Sequence, residues 1–575
     1  MNDLKKTFLA GFLVLLILLL TPYYLSLIGY ETEALVSPVS EAEIVDNVQQ
    51  PNANISAFEQ TQTVVTAASN NKPSSGLEQT LHIQSKLYDI LWSNIGGGSF
   101  VDYSLMSDGT NKYLGSYSTE GVYQDSVNVS LILNQNKACA PCVGVLYDGA
   151  SITLDSPFTL KNNSSIQNNQ INSLDEQDSL LIESEFVDPR FIINKKTVFF
   201  GNNFTSKHLI EAQDIGGQLE EVYLIWDKGL RNTEKNLYDD VQTYSAAYIS
   251  HNKETSDLWF APSDITDSAE EVSVSGTIDW AAIRTKYFIA ALIPENAQRA
   301  SIQAVPYLFD KGSVVPSYSS AVFKAGNSLS ASIYVGPLDI DYINELNTSL
   351  DRIMNFGWFV IQPFSRGVLW LLKTMHSFGL NYGIILILFA FLIRIITGPL
   401  MKKSFESSQN MQKVQPKLKK LQKTYKNDSQ RLNQEMVKLY KEEGVNPLGG
   451  CLPMLLQMPL LFSLFLVFRS TIEFRGAPFF GWISNLAQPD TIFYLPFNIP
   501  IYGDQVAFLP ILLGVSMFLT QKMSMASMDS QQKPMMYIMS AFFFLLFNSF
   551  PSGLNLYYLV YNILNYLQQR SLKQG

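Results

Sequence analysis

The chain has 575 residues, of which 47% are hydrophobic and 12% aromatic, and it carries a formal net charge of −10. That length is too great for one compact domain, and the apolar content is high for a soluble protein. Three cysteines, Cys139, Cys142 and Cys451, are too few for a disulfide scaffold.

The apolar residues cluster at the extreme N-terminus and beyond residue 380, whereas the middle reads as a soluble domain. Lys5 and Lys6 precede apolar stretches over 8–20 and 23–28. No A-x-A-like site follows closely, so residues 1–30 are expected to be an uncleaved signal anchor with its N-terminus inside. Residues 31–80 are rich in Ser, Asn, Gln and Pro, lack any period, and read as a flexible tether.

From 81 to 340, short β-rich runs alternate with Gly, Asn, Asp and Ser clusters. Runs at 81–92, 127–133, 196–200, 218–226, 287–292 and 330–335 predict a β-sandwich, with a loop over 162–179. Over 341–378 the period turns helical: Ile343, Leu346, Leu350, Ile353 and Met354 recur at spacings of three and four. Trp358 and Trp370 flank Pro363, which should break the helix. The segment suits an amphipathic stretch lying at the outer membrane surface.

Five hydrophobic spans follow, at about 380–400, 450–470, 506–522, 535–551 and 553–569. Between the first two, 402–446 is dense in Lys and carries Leu418, Leu421, Leu432, Met436 and Leu439 around Asn427-Asp428. That pattern predicts a charged helical hairpin in the cytoplasm, ended by Pro447-Leu-Gly-Gly450. With six spans in all, the basic segments 402–441, 522–533 and 570–573 fall inside, and 31–378 and 473–504 fall outside. The spans at 452–468 and 535–550 are shorter than the roughly 20 residues that a hydrocarbon core of about 30 Å requires. Either local bilayer thinning or interfacial residues on each side make up the difference.

Arg394 lies in the first of these five spans, where no acidic residue occurs between 382 and 400. A charge at such depth costs roughly 2.5–3.5 kcal/mol on insertion scales. Snorkelling is one reading, but Arg394 starts about 7 Å of helix before Pro399. The alternative, a functional water-filled cavity, is the reading preferred here. Gln457, Thr520, Gln521, Asn548, Ser549, Asn555, Asn562 and Asn565 supply possible walls, and for each amide helix-to-helix hydrogen bonding is the plainer role. No Asp, Glu or His lies mid-span, which argues against a proton relay and leaves the counter-ion of Arg394 to arrive with a substrate.

Met523, Met525, Met528, Met535, Met536 and Met539 suit either varied apolar contacts or plain filling. The basic hairpin could meet anionic lipid or ribosomal RNA, although the positive-inside rule alone explains its sign. Cys139-Ala-Pro-Cys142 has redox spacing without a strand-then-helix context, so a local structural disulfide is the better reading. The four histidines, His82, His208, His251 and His376, lack metal spacing, and no hydrolase or phosphate-loop motif occurs. An enzyme is not supported and no cofactor is implied.

Residues 446–460 (NPLGGCLPMLLQMPL), 550–570 (FPSGLNLYYLVYNILNYLQQR) and 394–404 (RIITGPLMKKS) closely resemble the signatures of the YidC-type membrane protein insertases. Residues 276–296 and 334–338 add looser matches in the β-rich part. The resemblance implies a polytopic α-helical membrane protein of six transmembrane helices, five forming the insertase core, plus a periplasmic β-supersandwich domain. It implies a hydrophilic groove with one arginine, matching Arg394, and groove or substrate contacts at Gln457, Tyr557 and Tyr558. Nascent membrane proteins, the Sec translocon, the ribosome and membrane lipids are the implied partners, in the bacterial inner membrane. A Met-rich second inside loop and the lack of a long basic tail after Gly575 depart from the pattern. Two other classes stand beside it: a small-solute transporter, for which inverted repeats are not visible, and a periplasmic carbohydrate-active domain on an anchor.

Overall fold

The computed structural model describes residues 77–574 except 108, 119–121, 134–138, 162–170, 228, 238–239, 242–243, 259–269, 310–312, 427, 446–451, 500–501 and 526–532. The anchor expected at 1–30, nearly all of the tether, Cys451 and the Pro447–Gly450 break lie outside these residues, as do the side chains of all the loop methionines named above. Two compact units divide the chain: one runs to Met354 and takes in 471–473, and the other holds 355–470 and 474 onward.

Among the described residues the first unit holds three large sheets, of nine, six and five strands, and a two-stranded one at 114–128. In part of the nine-stranded sheet buried and exposed residues alternate strictly. In Phe191–Phe200 the inward residues are Phe191, Ile193, Lys195, Thr197 and Phe199, while the residues between them face out. Its neighbour Thr205–Asp214 pairs antiparallel in the register Thr197↔His208 and turns Ser206, His208, Ile210 and Ala212 inward. Phe100 of the five-stranded sheet packs 6.1 Å from Phe199 of the nine-stranded sheet and 6.0 Å from Trp226 of the six-stranded one. One aromatic cluster thus joins all three sheets.

Cys139 and Cys142 are joined by a disulfide with a Cα–Cα distance of 4.8 Å, buried against Tyr223, Ile225 and Phe323. The predicted run at 81–92 is two strands, Thr80–Gln84 and Tyr88–Ser93, folded on each other. The loop expected over 162–179 holds a strand, Ile171–Ser173, that pairs parallel with Thr80–Gln84. Its three residues are too few for a periodic signal.

Residues 341–378 do not act as one segment. α1 (Ile340–Glu345) and a short 3-10 turn (Leu350–Ile353) belong to the β-unit, where Trp280 Nε1 donates to Ser349 Oγ and Arg284 Nη1 to the Ile353 carbonyl. α2 (Gln362–His376) belongs to the helical unit. Pro363 starts α2 rather than breaking it, because in a first turn its missing N–H would have no partner anyway.

The helical unit continues with α3 (Tyr382–Thr424), α4 (Ser429–Glu442), α5 (Leu452–Ser470), α6 (Phe508–Met525), α7 (Lys533–Phe547) and α8 (Ser552–Gln574). The span at 380–400 and the first arm of the hairpin, expected as separate helices, form one helix of 43 residues that runs through Pro399 and Pro416. Asp428 caps α4 by accepting from Arg431 N at 3.0 Å. α8 packs most extensively on α6 and α3. Small residues permit close approach elsewhere in the unit, of α8 to α5 and of α6 to α7: a Cβ on Gly553 would stand 2.4 Å from Phe468, and one on Gly514 2.7 Å from Phe544. By length and composition α3 is the one described helix able to cross a membrane, while Gln457–Ser470 and Phe508–Lys522 are shorter apolar helices.

Candidate functional site

α3 carries Ala390, Arg394 and Gly398 at spacings of four, and hence on one face. α8 faces it with Tyr557, Tyr561, Leu564 and Gln568, at spacings of four, three and four. Between them the Arg394 guanidinium donates from Nη2 to Gln568 Oε1 and lies over the Tyr561 ring, 5.7 Å from its centroid. Arg394 is only 8% exposed, and its Nε and Nη1 have no hydrogen-bond partner among the described residues. No carboxylate pairs with it there. A cleft of about 410 Å³ opens at this point, lined by Arg394, Ile395, Gly398, Pro399, Lys402, Leu564 and Gln568.

One neutral acceptor and one ring face compensate a guanidinium only in part, since two of its three nitrogens stay without an acceptor among the described residues. A carboxylate entering the cleft would meet the guanidinium in its wall. Pro399 adds to the polarity of the wall, because it has no N–H to give to the Ile395 carbonyl.

The other predicted site residues are distributed unevenly about this centre. The Tyr557 ring lies 5.5 Å from Phe389 of α3 and 6.0 Å from Tyr561, continuing the column above Arg394. Tyr558 turns away toward Phe547 of α7, at 5.9 Å. Both tyrosine hydroxyls are buried without a partner among the described residues. Thr520 of α6 donates to the Ser516 carbonyl at 3.0 Å and to the Asn562 carbonyl at 3.4 Å, so these two residues tie α6 to α8. Gln457 is half-buried on α5, with no contact to Arg394 among the described residues. Asn548, just past α7, donates to the Tyr502 and Gln505 carbonyls, and Asn555 donates to the Phe547 carbonyl at the end of α7.

The residues that touch Arg394, Tyr561 and Gln568, were not singled out from sequence. The signal was present in the 557–561–564–568 spacing, which marks one face of a helix.

Fold and site together define an α-helical unit with a buried cationic cleft, joined to a large β-domain. The family described as 60Kd inner membrane protein matches residues 373–574, and the YidC periplasmic domain matches residues 210–371. A membrane protein insertase YidC of Chlorobaculum parvum is 32% identical over 580 residues, covering 97% of this chain and 93% of that protein. The corresponding protein of Chlorobium luteolum is 40% identical over 396 residues, with just 66% of each chain covered. A crystal structure of an active YidC insertase with its first transmembrane domain resolved is 17% identical, covers 85% of this chain and 94% of that one, and has a TM-score of 0.33. The chain belongs to the YidC family of membrane protein insertases, as the signatures at 446–460 and 550–570 led us to expect.

Proposed function

We propose that the chain inserts nascent integral membrane proteins into the inner membrane and helps them fold, by way of the cleft around Arg394. The observation that carries this reading is a buried guanidinium whose Nε and Nη1 lack partners beside an open cleft. A hydrophilic flank of the client enters the cleft, and Arg394 attracts its acidic residues. Desolvation of that flank then proceeds in stages, while the adjoining apolar segment moves into lipid. No covalent chemistry is required.

The topology that fits this work has six spans, with the anchor at 1–30 and the five helices α3, α5, α6, α7 and α8, and both termini in the cytoplasm. The basic segments at 402–441, 522–533 and 570–573 support that orientation. The cytoplasmic arm of α3 with α4 would meet the ribosome or anionic lipid, and the Sec translocon would share clients. Gln457, Thr520, Tyr557, Tyr558 and Asn562 are assigned to the surroundings of the path, with Thr520 and Asn562 fixing its α6–α8 wall.

The test is protease protection of a small client with an acidic translocated tail, in cells depleted of the native protein. Arg394→Lys should keep much of the insertion, because the charge remains, and Arg394→Ala should lose most of it. Full insertion by Arg394→Ala would end the electrostatic role.

A further inference from the structure

Between α5 and α6 the chain forms a β-hairpin, Thr491–Ile499 paired antiparallel with Gly503–Ala507. Its position is fixed by the helix ends. Asp490 Oδ2 accepts from Trp482 Nε1 at 2.9 Å and from Leu509 N, in the first turn of α6, at 2.8 Å. Asn548, just past α7, accepts from Ala507 N at 3.0 Å and donates to the Tyr502 and Gln505 carbonyls at 2.8 and 2.6 Å. The base of the hairpin therefore lies level with the start of α6 and the end of α7.

Its surface does not suit water. Ile492, Phe493, Tyr494 and Phe497 of the hairpin are all exposed, Tyr494 to 62%, and Phe480 and Trp482 of the preceding loop are exposed beside them in sequence. Ile492, Phe493 and Tyr494 are consecutive, so both faces of the ribbon present apolar side chains. Asp490 and Asp504 are the two charged residues between 476 and 507, and Asp490 is buried. An isolated two-stranded ribbon is marginal in water.

We infer that this hairpin is seated in the outer leaflet, with its aromatic side chains at the boundary between headgroups and acyl chains. The inference rests on the reading that α6 and α7 span the bilayer. α7 has 15 residues, about 22 Å of helix against a hydrocarbon core of about 30 Å, so its outer end sits at or below that boundary. Whatever is bonded to that end is held at lipid depth. The boundary is where Trp and Tyr accumulate, and it still supplies water to unpaired strand-edge groups that hydrocarbon would leave unsatisfied. A partner protein recognised by charge finds only Asp504 to bind.

Nitroxide labels on the full chain test the inference. Phe493→Cys, Tyr494→Cys and Phe497→Cys are each made in a Cys451→Ser background and reconstituted into phosphatidylethanolamine–phosphatidylglycerol vesicles. Phe391→Cys on the exposed face of α3 reports hydrocarbon, and Lys207→Cys on the β-domain reports water. The hairpin labels are expected to show an oxygen-to-nickel-chelate collision ratio several-fold above that at position 207 and below that at 391. Ratios at all three hairpin sites equal to that at 207, with 391 still in hydrocarbon, would overturn the inference and leave a protein partner as the cover. A water-like ratio at 391 would instead remove the spanning reading and this inference with it.

Discussion

Lys195 faces the core because of its parity: it shares a strand face with Phe191, Ile193, Thr197 and Phe199. Its ammonium has no hydrogen-bond partner among the described residues, and burial pushes its pKa down to about 7. Burial, and then the nearby Lys195, hold His208 well below the usual imidazole value. Between pH 7 and 10.5 the unfolded chain binds a proton that the folded Lys195 lacks, so stability rises with pH through that window. Below pH 7 the fold carries the whole penalty, up to roughly 5 kcal/mol. Lys195→Met should stabilise the chain at neutral pH and flatten that rise. Urea unfolding followed by tryptophan fluorescence at pH 7 and 10 measures it, and equal gains at both pH values would refute the assignment. Gln568 offers a second test at the same scale. Gln568→Glu would give Arg394 a permanent counter-ion, so insertion of clients with acidic tails should fall while that of clients with neutral tails is kept. Equal effects on both client sets would show that the cleft does not select by charge.

At the scale of elements, the sequence exposed what is periodic and concealed what depends on a neighbour. Alternation in 191–200 and helical spacing after 380 were legible, because burial on one face imposes them on every residue. Pro363 was misread as a break, since a proline acts according to its position in the helix. The strand Ile171–Ser173 is set by a partner distant in sequence, and the hairpin at 491–507 is anchored by one. Asn548 shows the same dependence. Its amide resembled a cavity wall, yet it satisfies three main-chain groups of the hairpin. Asn548→Leu should therefore destabilise this corner by about 2–4 kcal/mol. Hydrogen exchange of the full chain would register faster exchange at 502–508, and unchanged rates there would mean the bonds contribute nothing.

For the whole molecule, the division at Met354 decides how the β-domain can be removed without harm to the helical unit. A cut from 81 to 330 looks natural from the sequence, because the run at 330–335 is the last β-rich one. It would leave most of the strand Ser328–Pro337 attached, with Ile333, Tyr334 and Val335 stripped of their sheet. Leu350, Ile353 and Met354, all buried, would likewise lose their cover, since 349–353 docks on Trp280 and Arg284. An unpaired apolar strand is an aggregation hazard. Removing 81–354 takes every one of these residues away together, and the helices from α2 onward keep their own core of Ile385, Leu386, Phe389, Leu554 and Tyr557. The 81–354 deletion should reach the membrane at near parental yield and insert small clients close to the parental level. The 81–330 deletion should be recovered at several-fold lower yield. Membrane-fraction yield and client protease protection, compared for the two deletions, check both statements. Loss of insertion by a well-recovered 81–354 deletion would show that the β-domain takes part in the insertion step itself.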